Sequence, residues 1–478
     1  MWFRKKPALA SVFFTNTLSG AKEEFRPITP GTALLYSCGP TVYGPVQVGN
    51  LRSFVLGDLV ARVLSQAGYK VKRVMNITDV GHMVGDGDEG EDKMAAGAKR
   101  DKATPEEVAS KYAALFKEDI AALNLDLSAI RFPRATEYVN EDIEMIRALE
   151  RKGFTYKTED GVYFDAGKFA DYGALGGLRK ADLQAGARVA QGGKRSPHDF
   201  VLWRAAKEHD LQQWDSPWGR GNPGWSIECS AMATALLAPR IDLHTGGEDL
   251  AQIHHNNEIA QSECASGMRP FVRYWLHGAF LTAGGEKLSK SAGNSRTLGE
   301  LRERGTHPLA LRYLFLQAHY RSPLSFTLEA LDAAQEGLER LWKTAREVKA
   351  ASGGVAKESD VSRQIRERLA DDLKTPQALA LLHEALGSSR SPKEKWGALL
   401  AADEVLGLSL ATPPTLAKAE VVADELPEEI RELAARRAQA RKNRDFEAAD
   451  ELRIHLLERG YRVEDGPSGP VFTKVQKE

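Results

Sequence analysis

Residues 32–38 (TALLYSC) form a short apolar run with the character of a buried strand, and residues 50–68 then place Phe54, Leu56, Leu59, Val60, Val63 and Leu64 on one side at helical spacing. Residues 71–77 (VKRVMNI) return to a strand pattern. A strand, a glycine-containing turn, a helix and a second strand predict a parallel α/β sheet with its ligand site at the carboxyl ends of the strands, here near residues 38–50. Residues 104–124 are helical in period, whereas 125–220 mixes short helices with turn-rich stretches such as Gln191-Gly192-Gly193-Lys194 and reads as an insertion. A second α/β part begins near Trp225, with strands expected at 240–243 and 276–282 and a helix at 252–264, so the sheet is built from two separated halves. From Pro308 onward the pattern is helical until strand runs at 461–463 and 471–473, with linkers at 410–414 and 424–427 where proline and small residues interrupt it.

Composition narrows the class. A chain of 478 residues holds about three domains. With 42% hydrophobic and 27% charged residues it is globular rather than disordered, and no apolar run approaches the roughly 20 residues that cross a bilayer, so no membrane is expected. Residues 1–10 (MWFRKKPALA) have the outline of a signal peptide, but the apolar stretch is too short and polar chain resumes at Thr15. The three cysteines, Cys38, Cys229 and Cys264, are odd in number and widely scattered, which suits a reducing cytoplasm and free thiols that do chemistry or bind metal. A formal net charge of −1 gives no global attraction to nucleic acid, so any such surface is a local patch.

Four segments carry candidate chemistry. Residues 38–50 (CGPTVYGPVQVGN) set turn formers between strand and helix, where helix-start amides can cradle an anion and Gly49 lets a nucleotide approach the main chain; an ordinary strand-to-helix turn has the same composition. Residues 287–291 (KLSKS), flanked by Gly284, Gly285 and Gly293, offer two lysines to a polyphosphate whose charge moves onto a leaving group, although a solvated loop can also read this way. In residues 254–258 (HHNNE), His254 and Glu258 stand four apart on one helical face, a spacing for two ligands of one metal; adjacent histidines on a helix are also met as structural or solvated residues. Near the C-terminus, Arg436, Arg437, Arg441, Lys442 and Arg444 precede Phe446, a basic helical face beside an aromatic, diluted by Glu447, Asp450 and Glu451.

The first two segments, in this order on opposite halves of a split sheet, resemble the HIGH and KMSKS pair of class I aminoacyl-tRNA synthetases. Residues 14–18 (FTNTL), 38–43 (CGPTVY), 76–79 (NITD), 199–203 (DFVLW), 224–230 (GWSIECS), 254–258 (HHNNE) and 445–450 (DFEAAD) resemble the cysteinyl-tRNA synthetase family in its own order, and 79–94 (DVGHMVGDGDEGEDKM) is similar to one subgroup of it. The resemblance implies an α/β fold: a split Rossmann-like parallel-sheet catalytic domain in halves 1–124 and 221–330, a connective insertion 125–220, a helical bundle 331–415 and a small anticodon-binding domain 424–478. It implies a cysteine–tRNA ligase that activates L-cysteine with ATP, releases pyrophosphate and loads the cysteine onto the 3′ end of tRNA(Cys) in the cytoplasm, with no obligate protein partner.

The same resemblance assigns residues. Cys38, Cys229, His254 and Glu258 would hold one Zn2+, which prefers thiolate to hydroxyl and so separates cysteine from serine, a distinction that shape alone resolves by only about 1–3 kcal/mol. Gln47, Gly49, Asn50, Lys287 and Lys290 would bind ATP with its Mg2+, and the two lysines would be catalytic. Gly39, Thr41, Thr78 and Trp225 would line the amino-acid pocket, each with an alternative reading as a strand-end or core residue. Arg441, Asp450 and Asp465 are candidates for anticodon base edges, with Phe446 stacking. Cys264 reads as a buried helical residue outside the site.

Departures from the family pattern are Gln47 for His, Ser226 for His and Asn256 for Glu. Gln47 matters most, since an amide donates a hydrogen bond but never becomes a cation. Two rival readings remain: a zinc-dependent ligase joining cysteine to a small amine, as in the mycothiol ligase family, which lacks the C-terminal module present here, and a silent tRNA-binding paralogue, which has no reason to keep both KLSKS and the four ligands.

Overall fold

The apolar run at 32–38 becomes the central strand of a five-stranded sheet. In the computed structural model, which describes residues 11–81, 92–175, 193–208, 210–283, 286–287, 296–414, 420–421, 426–443, 445–466 and 469–474, the strands are β1 (Thr32–Ser37), β2 (Lys70–Met75), β3 (Ile130–Arg131), β4 (Ile241–Gly247) and β5 (Val272–Gly278). Their order is β5-β4-β1-β2-β3 and every pairing is parallel. The chain runs outward from β1 through β2 to β3, then returns to pair β4 on the other side of β1. The order therefore reverses between β1 and β4, and a crevice opens outside their carboxyl ends.

Helix α1 (Val48–Gln66) crosses from β1 to β2 and buries Leu51, Phe54, Val55, Leu59, Val60 and Val63. Helix α2 (Lys93–Asp101) precedes α3 (Pro105–Ala122), which starts with proline in its first turn and a reciprocal Thr104–Glu107 capping box. One apolar core lies on this side of the sheet, and the other side packs α4 (Val139–Arg151), α5 (Trp225–Leu236) and α6 (His254–Ser266) around Tyr36, Val74 and Trp275. The first core continues without interruption into the C-terminal helices α7 (Pro308–Leu316), α8 (Leu328–Ser352), α9 (Asp360–Ala370), α10 (Thr375–Gly387) and α11 (Pro392–Leu406), where Trp342 and Trp396 are buried. A separate core around Ile430, Leu456, Val463 and Phe472 joins α12 (Glu428–Lys442), α13 (Phe446–Glu458) and the hairpin Tyr461–Gly466 with Gly469–Lys474. Among the described residues no helix is long and apolar enough to cross a membrane.

The insertion differs from its expected mixture of short helices and turns. It holds a four-stranded antiparallel sheet made of Thr155–Thr158, Gly161–Phe164, Phe200–Ala205 and Gly221–Pro223. Its glycines mimic turns in the sequence but serve close backbone approach: a Cβ at Gly161 would lie 2.0 Å from the Trp203 carbonyl oxygen, and one at Gly221 would lie 2.1 Å from that of Arg204. Val162–Phe164 are moreover buried on both faces, so no alternation marks the strand. The strand expected at 276–282 is divided between β5 and the short Leu281–Ala283, because Ala279 N–H turns to the Tyr320 carbonyl and Phe280 N–H to the Glu248 carboxylate.

Asp58, buried in α1, joins the sheet to the C-terminal helices. It accepts from Arg62 Nε at 2.6 Å, Arg73 Nη1 at 3.3 Å and Arg312 Nη2 at 2.8 Å. Arg312, fully buried, also donates to the carbonyls of Leu406 and Leu123, the ends of α11 and α3. Burial pushes the Asp58 carboxyl up, but Arg312, Arg62 and Arg73 outweigh it and hold it below its ordinary value of 3.8. A depressed native value means that the ionised carboxylate stabilises the fold above the unfolded value and that this contribution is lost as pH falls below it. Asp58→Asn should cost about 3–5 kcal/mol, the cost of leaving a buried charge uncompensated, measured by denaturant unfolding. The stability gap between wild type and variant should narrow as the pH is taken below 3.8.

Candidate active site and metal centre

Cys38 ends β1 at the reversal point, where its N–H donates to the Thr245 carbonyl and Ser37 Oγ lies 2.8 Å from Thr245 Oγ1. The turn that follows is laced to the end of β2. Gly39 N–H donates to Asn76 Oδ1, Asn76 Nδ2 donates to Thr78 Oγ1, and residues 41 and 78 form a parallel bridge. A Cβ at Gly39 would stand 1.7 Å from the Asn76 carbonyl oxygen, so this glycine is demanded by the contact between two strand ends. Thr78 is buried, while Thr41 and Trp225 are half-buried at the crevice.

Helix α6 supplies the other wall. One helical turn sets His254 Nε2 3.1 Å from Glu258 Oε1, and Cys38 Sγ lies 3.8 Å from the same oxygen. The ligand atoms of Cys38, Cys229, His254 and Glu258 all fall within 4.8 Å of one another. A second set sharing Cys38 and Glu258 is completed by His244 and His255. Behind these, His244 Nε2 meets Glu258 Oε2 at 3.1 Å, His255 Nε2 meets Cys38 Sγ at 3.4 Å, His255 Nδ1 meets His277 Nε2 at 2.7 Å, and His277 Nδ1 meets Thr17 Oγ1 at 2.9 Å.

The electrostatics favour a cation in this cluster. Burial pushes the Glu258 carboxyl up, yet His244 and His254 bring it down to about 2. Burial works against a charge on His254 as well, but its contacts with Cys229 and Glu258 raise it to about 10. Hydrogen bonding to Cys38 lowers the Cys229 thiol despite burial, while burial raises that of Cys38, so one sulfur of the pair is the readier thiolate. Near Glu258, His254 Nε2 is buried and out of alignment for a hydrogen bond. Two sulfurs, an imidazole nitrogen and a carboxylate oxygen within 4.8 Å of one another, with a buried nitrogen unsatisfied, fit a bound metal ion.

The nucleotide segments meet at the start of α1. Gln47 forms an antiparallel bridge with Thr297, and Val48 N–H donates to the Arg296 carbonyl at 2.8 Å, so chain just beyond the lysine loop abuts the helix that follows the glycine-rich turn. Gly49 faces open space and Asn50 is exposed, whereas Gln47 donates its amide to the Pro45 carbonyl at 3.2 Å. The Lys287 backbone pairs with Thr282 in a short antiparallel ladder; its side chain and Lys290 lie outside the described residues, as do residues 82–91 of the acidic stretch. In the C-terminal unit Arg436, Arg441, Lys442 and Asp450 are exposed. Arg437 is buried and does not belong to the basic face expected there. Phe446 and Asp465 sit on α13 and the hairpin, with side chains outside the described residues, as is Arg444.

A split parallel sheet in which chain beyond the lysine loop meets the glycine-rich turn at the reversal point defines a class I aminoacyl-tRNA synthetase fold. Mycobacterium tuberculosis methionyl-tRNA synthetase in complex with methionyl-adenylate has the same fold, with a TM-score of 0.55 at 15% identity over 80% of this chain and 92% of its own. Residues 24–336 match the class I (C) tRNA synthetase catalytic domain, and 423–469 match the cysteinyl-tRNA ligase anticodon binding domain. Cysteine–tRNA ligase 1 of Burkholderia lata is 45% identical over 464 residues, covering 95% of each chain, and cysteine–tRNA ligase of Chlorobium chlorochromatii is 41% identical over 475 residues, covering 96% of this chain and 98% of its own. The chain belongs to the cysteinyl-tRNA synthetase family.

Two departures from the family pattern have visible partners. Ser226 Oγ accepts from Asn257 Nδ2 at 3.2 Å and lies 3.4 Å from His254 Nδ1. Asn256 donates to the carbonyls of Leu175, Ala251 and Gln252 and accepts from Leu175 N–H, which fixes the insertion to α6 through donations no carboxylate could make. Asn256→Ala strips both Leu175 partners and should cost about 1–3 kcal/mol, measured as a lowered thermal midpoint.

Proposed function

We propose that this chain activates L-cysteine with ATP and transfers it to tRNA(Cys), with Zn2+ held by Cys38, Cys229, His254 and Glu258. The convergence of these four ligand atoms within 4.8 Å, drawn from both halves of the sheet beside the crevice, carries the reading. Those four residues would hold zinc, which would supply a Lewis acid with a preference for thiolate over hydroxyl. Around it the chain's own groups orient the substrate: the Glu258 carboxylate is held by His244, the His255 ring by His277, and Trp225, 4.4 Å from the His254 ring, walls the pocket.

ATP, with Mg2+, lies along the start of α1 over Gly49 and Asn50, with Gln47 as a neutral donor. A carboxylate oxygen of cysteine attacks the α-phosphorus, the bond to the bridging oxygen breaks, and pyrophosphate departs. Lys287 and Lys290 stabilise the charge gathering on it. Arg441, Asp450, Phe446 and Asp465 on the C-terminal unit read the tRNA anticodon. The free thiols suit a reducing cytoplasm.

Cysteine-dependent exchange of pyrophosphate into ATP tests the activity, with serine as control. Cys229→Ser, or removal of zinc with a chelator, should abolish most cysteine activation and the preference over serine while leaving ATP affinity largely intact. Undiminished cysteine activation in metal-free protein would exclude this ligand set.

A further inference from the structure

Lys93 is the first residue of α2, and that helix is fastened to the crevice at two levels. At its start, the Asp92 carboxylate accepts from the backbone N–H groups of Met94 and Ala95 at 2.7 and 2.9 Å. It presses on Gly81, where a Cβ would lie 2.0 Å from Asp92 Oδ2. Gly81 and Asp79 are in turn held by the Gln212 side chain, through the Gly81 N–H and the Asp79 carbonyl. One turn further along, Gly97 lets the Tyr43 carbonyl approach to 2.8 Å of where a Cβ would stand, and Arg100 donates to the same carbonyl. Both anchors tie α2 to chain at the carboxyl ends of β1 and β2.

This fastening puts Lys93 Nζ 5.5 Å from the centre of the Trp225 ring, and the same ring lies 4.4 Å from His254 in the metal cluster. Lys93 is half-buried, comes from the first half of the sheet and faces a wall supplied by the second. In a cysteine anchored by its sulfur at Cys38, Cys229, His254 and Glu258 the α-carboxylate lies only a few bonds from the sulfur, on the same scale as the distances that separate the His254 ring, the Trp225 ring and Lys93. Gly39, Thr41, Thr78 and Trp225 carry no positive charge to meet it, and among the described residues no other lysine or arginine lies over the Trp225 ring. A half-buried lysine beside an indole can make a charge-assisted hydrogen bond to a carboxylate while its contact with the ring holds it in place.

We propose that Lys93 binds the α-carboxylate of the substrate amino acid, holding one oxygen while the other attacks the α-phosphorus of ATP. The amine positions the nucleophile and offsets part of the repulsion between carboxylate and triphosphate. The inference rests on the cluster being the cysteine site.

The test compares wild type, Lys93→Gln and Lys93→Arg in the pyrophosphate exchange assay, with the zinc-loaded full chain and with cysteamine, which has the thiol and amine of cysteine but no carboxylate, as a competitive inhibitor. Lys93→Gln should raise the cysteine KM on the order of 10- to 100-fold, the loss expected of one hydrogen bond to a charged group, with the ATP KM unchanged. Lys93→Arg should recover part of the loss, and the cysteamine inhibition constant should be the same in all three proteins. Equal weakening of cysteine and cysteamine would overturn the proposal, because Lys93 would then act only by propping Trp225. So would an unchanged cysteine KM. Absence of exchange in the wild type, with cysteamine unbound, would overturn this inference together with the cysteine reading on which it rests.

Discussion

Pairing of β1 with β4 is the constraint on which the remainder of the molecule depends. The two strands come from chain 208 positions apart, matched at Ser37 and Thr245, so their parallel ladder closes a loop that includes two strands of the sheet and the entire insertion. Closing so long a loop carries an entropic cost that grows only logarithmically with length, and the strands offset it with burial on both faces. Asp242 adds a polar latch: buried on β4, it accepts from the backbone N–H groups of Ile28 and Leu34. Without this pairing Cys38 has no neighbour in Cys229, and the start of α1 has no contact with Arg296.

On the proposed reading, metal and nucleotide chemistry share one crevice for complementary reasons. At the sulfur end the surroundings are buried and dense with titratable groups, where a charge needs partners; the chain from Cys38 through His255 and His277 to Thr17, and the link from Glu258 to His244, supply several of them and leave His254 Nε2 unsatisfied. At the nucleotide end Gly49 and Asn50 face open space, as a site for a large hydrated anion demands. Trp225, half-buried, packs its ring against His254 at the edge of the cluster.

Much of this was legible in the residues because it rests on local pattern. The run at 32–38, the apolar face of α1 and the i, i+4 relation of His254 to Glu258 are consequences of strand and helix periodicity, and the structure reproduces each. His244, His255 and His277 escaped as site residues. The signal was present, a histidine within each of two neighbouring strands and a third beside a suspected ligand, but its meaning depends on the lateral pairing of β4 with β5, where Gly246 aligns with His277. The insertion sheet escaped because glycine serves close packing as well as turns, and Arg437 because a charged residue on a polar helix reads as solvated until its neighbours are in place. The two-residue strands Leu324–Ser325 and Glu420–Val421 are too short to leave a pattern.

Arg312 has a bearing on how far this protein can be dissected. Its guanidinium holds the carboxyl ends of α3 and α11 against Asp58 of α1, and Gly407, at φ +62°, leaves it the room, since a Cβ there would approach Nη2 to 2.7 Å. The apolar core crosses the same junction. A fragment ending after α7 would therefore carry Arg312 stripped of the Leu406 carbonyl and an open apolar flank on α1, and would be expected to aggregate rather than to act as a minimal synthetase. Modularity along the chain here does not extend to modularity in three dimensions, and any ancestral shorter form must have covered that flank in another way.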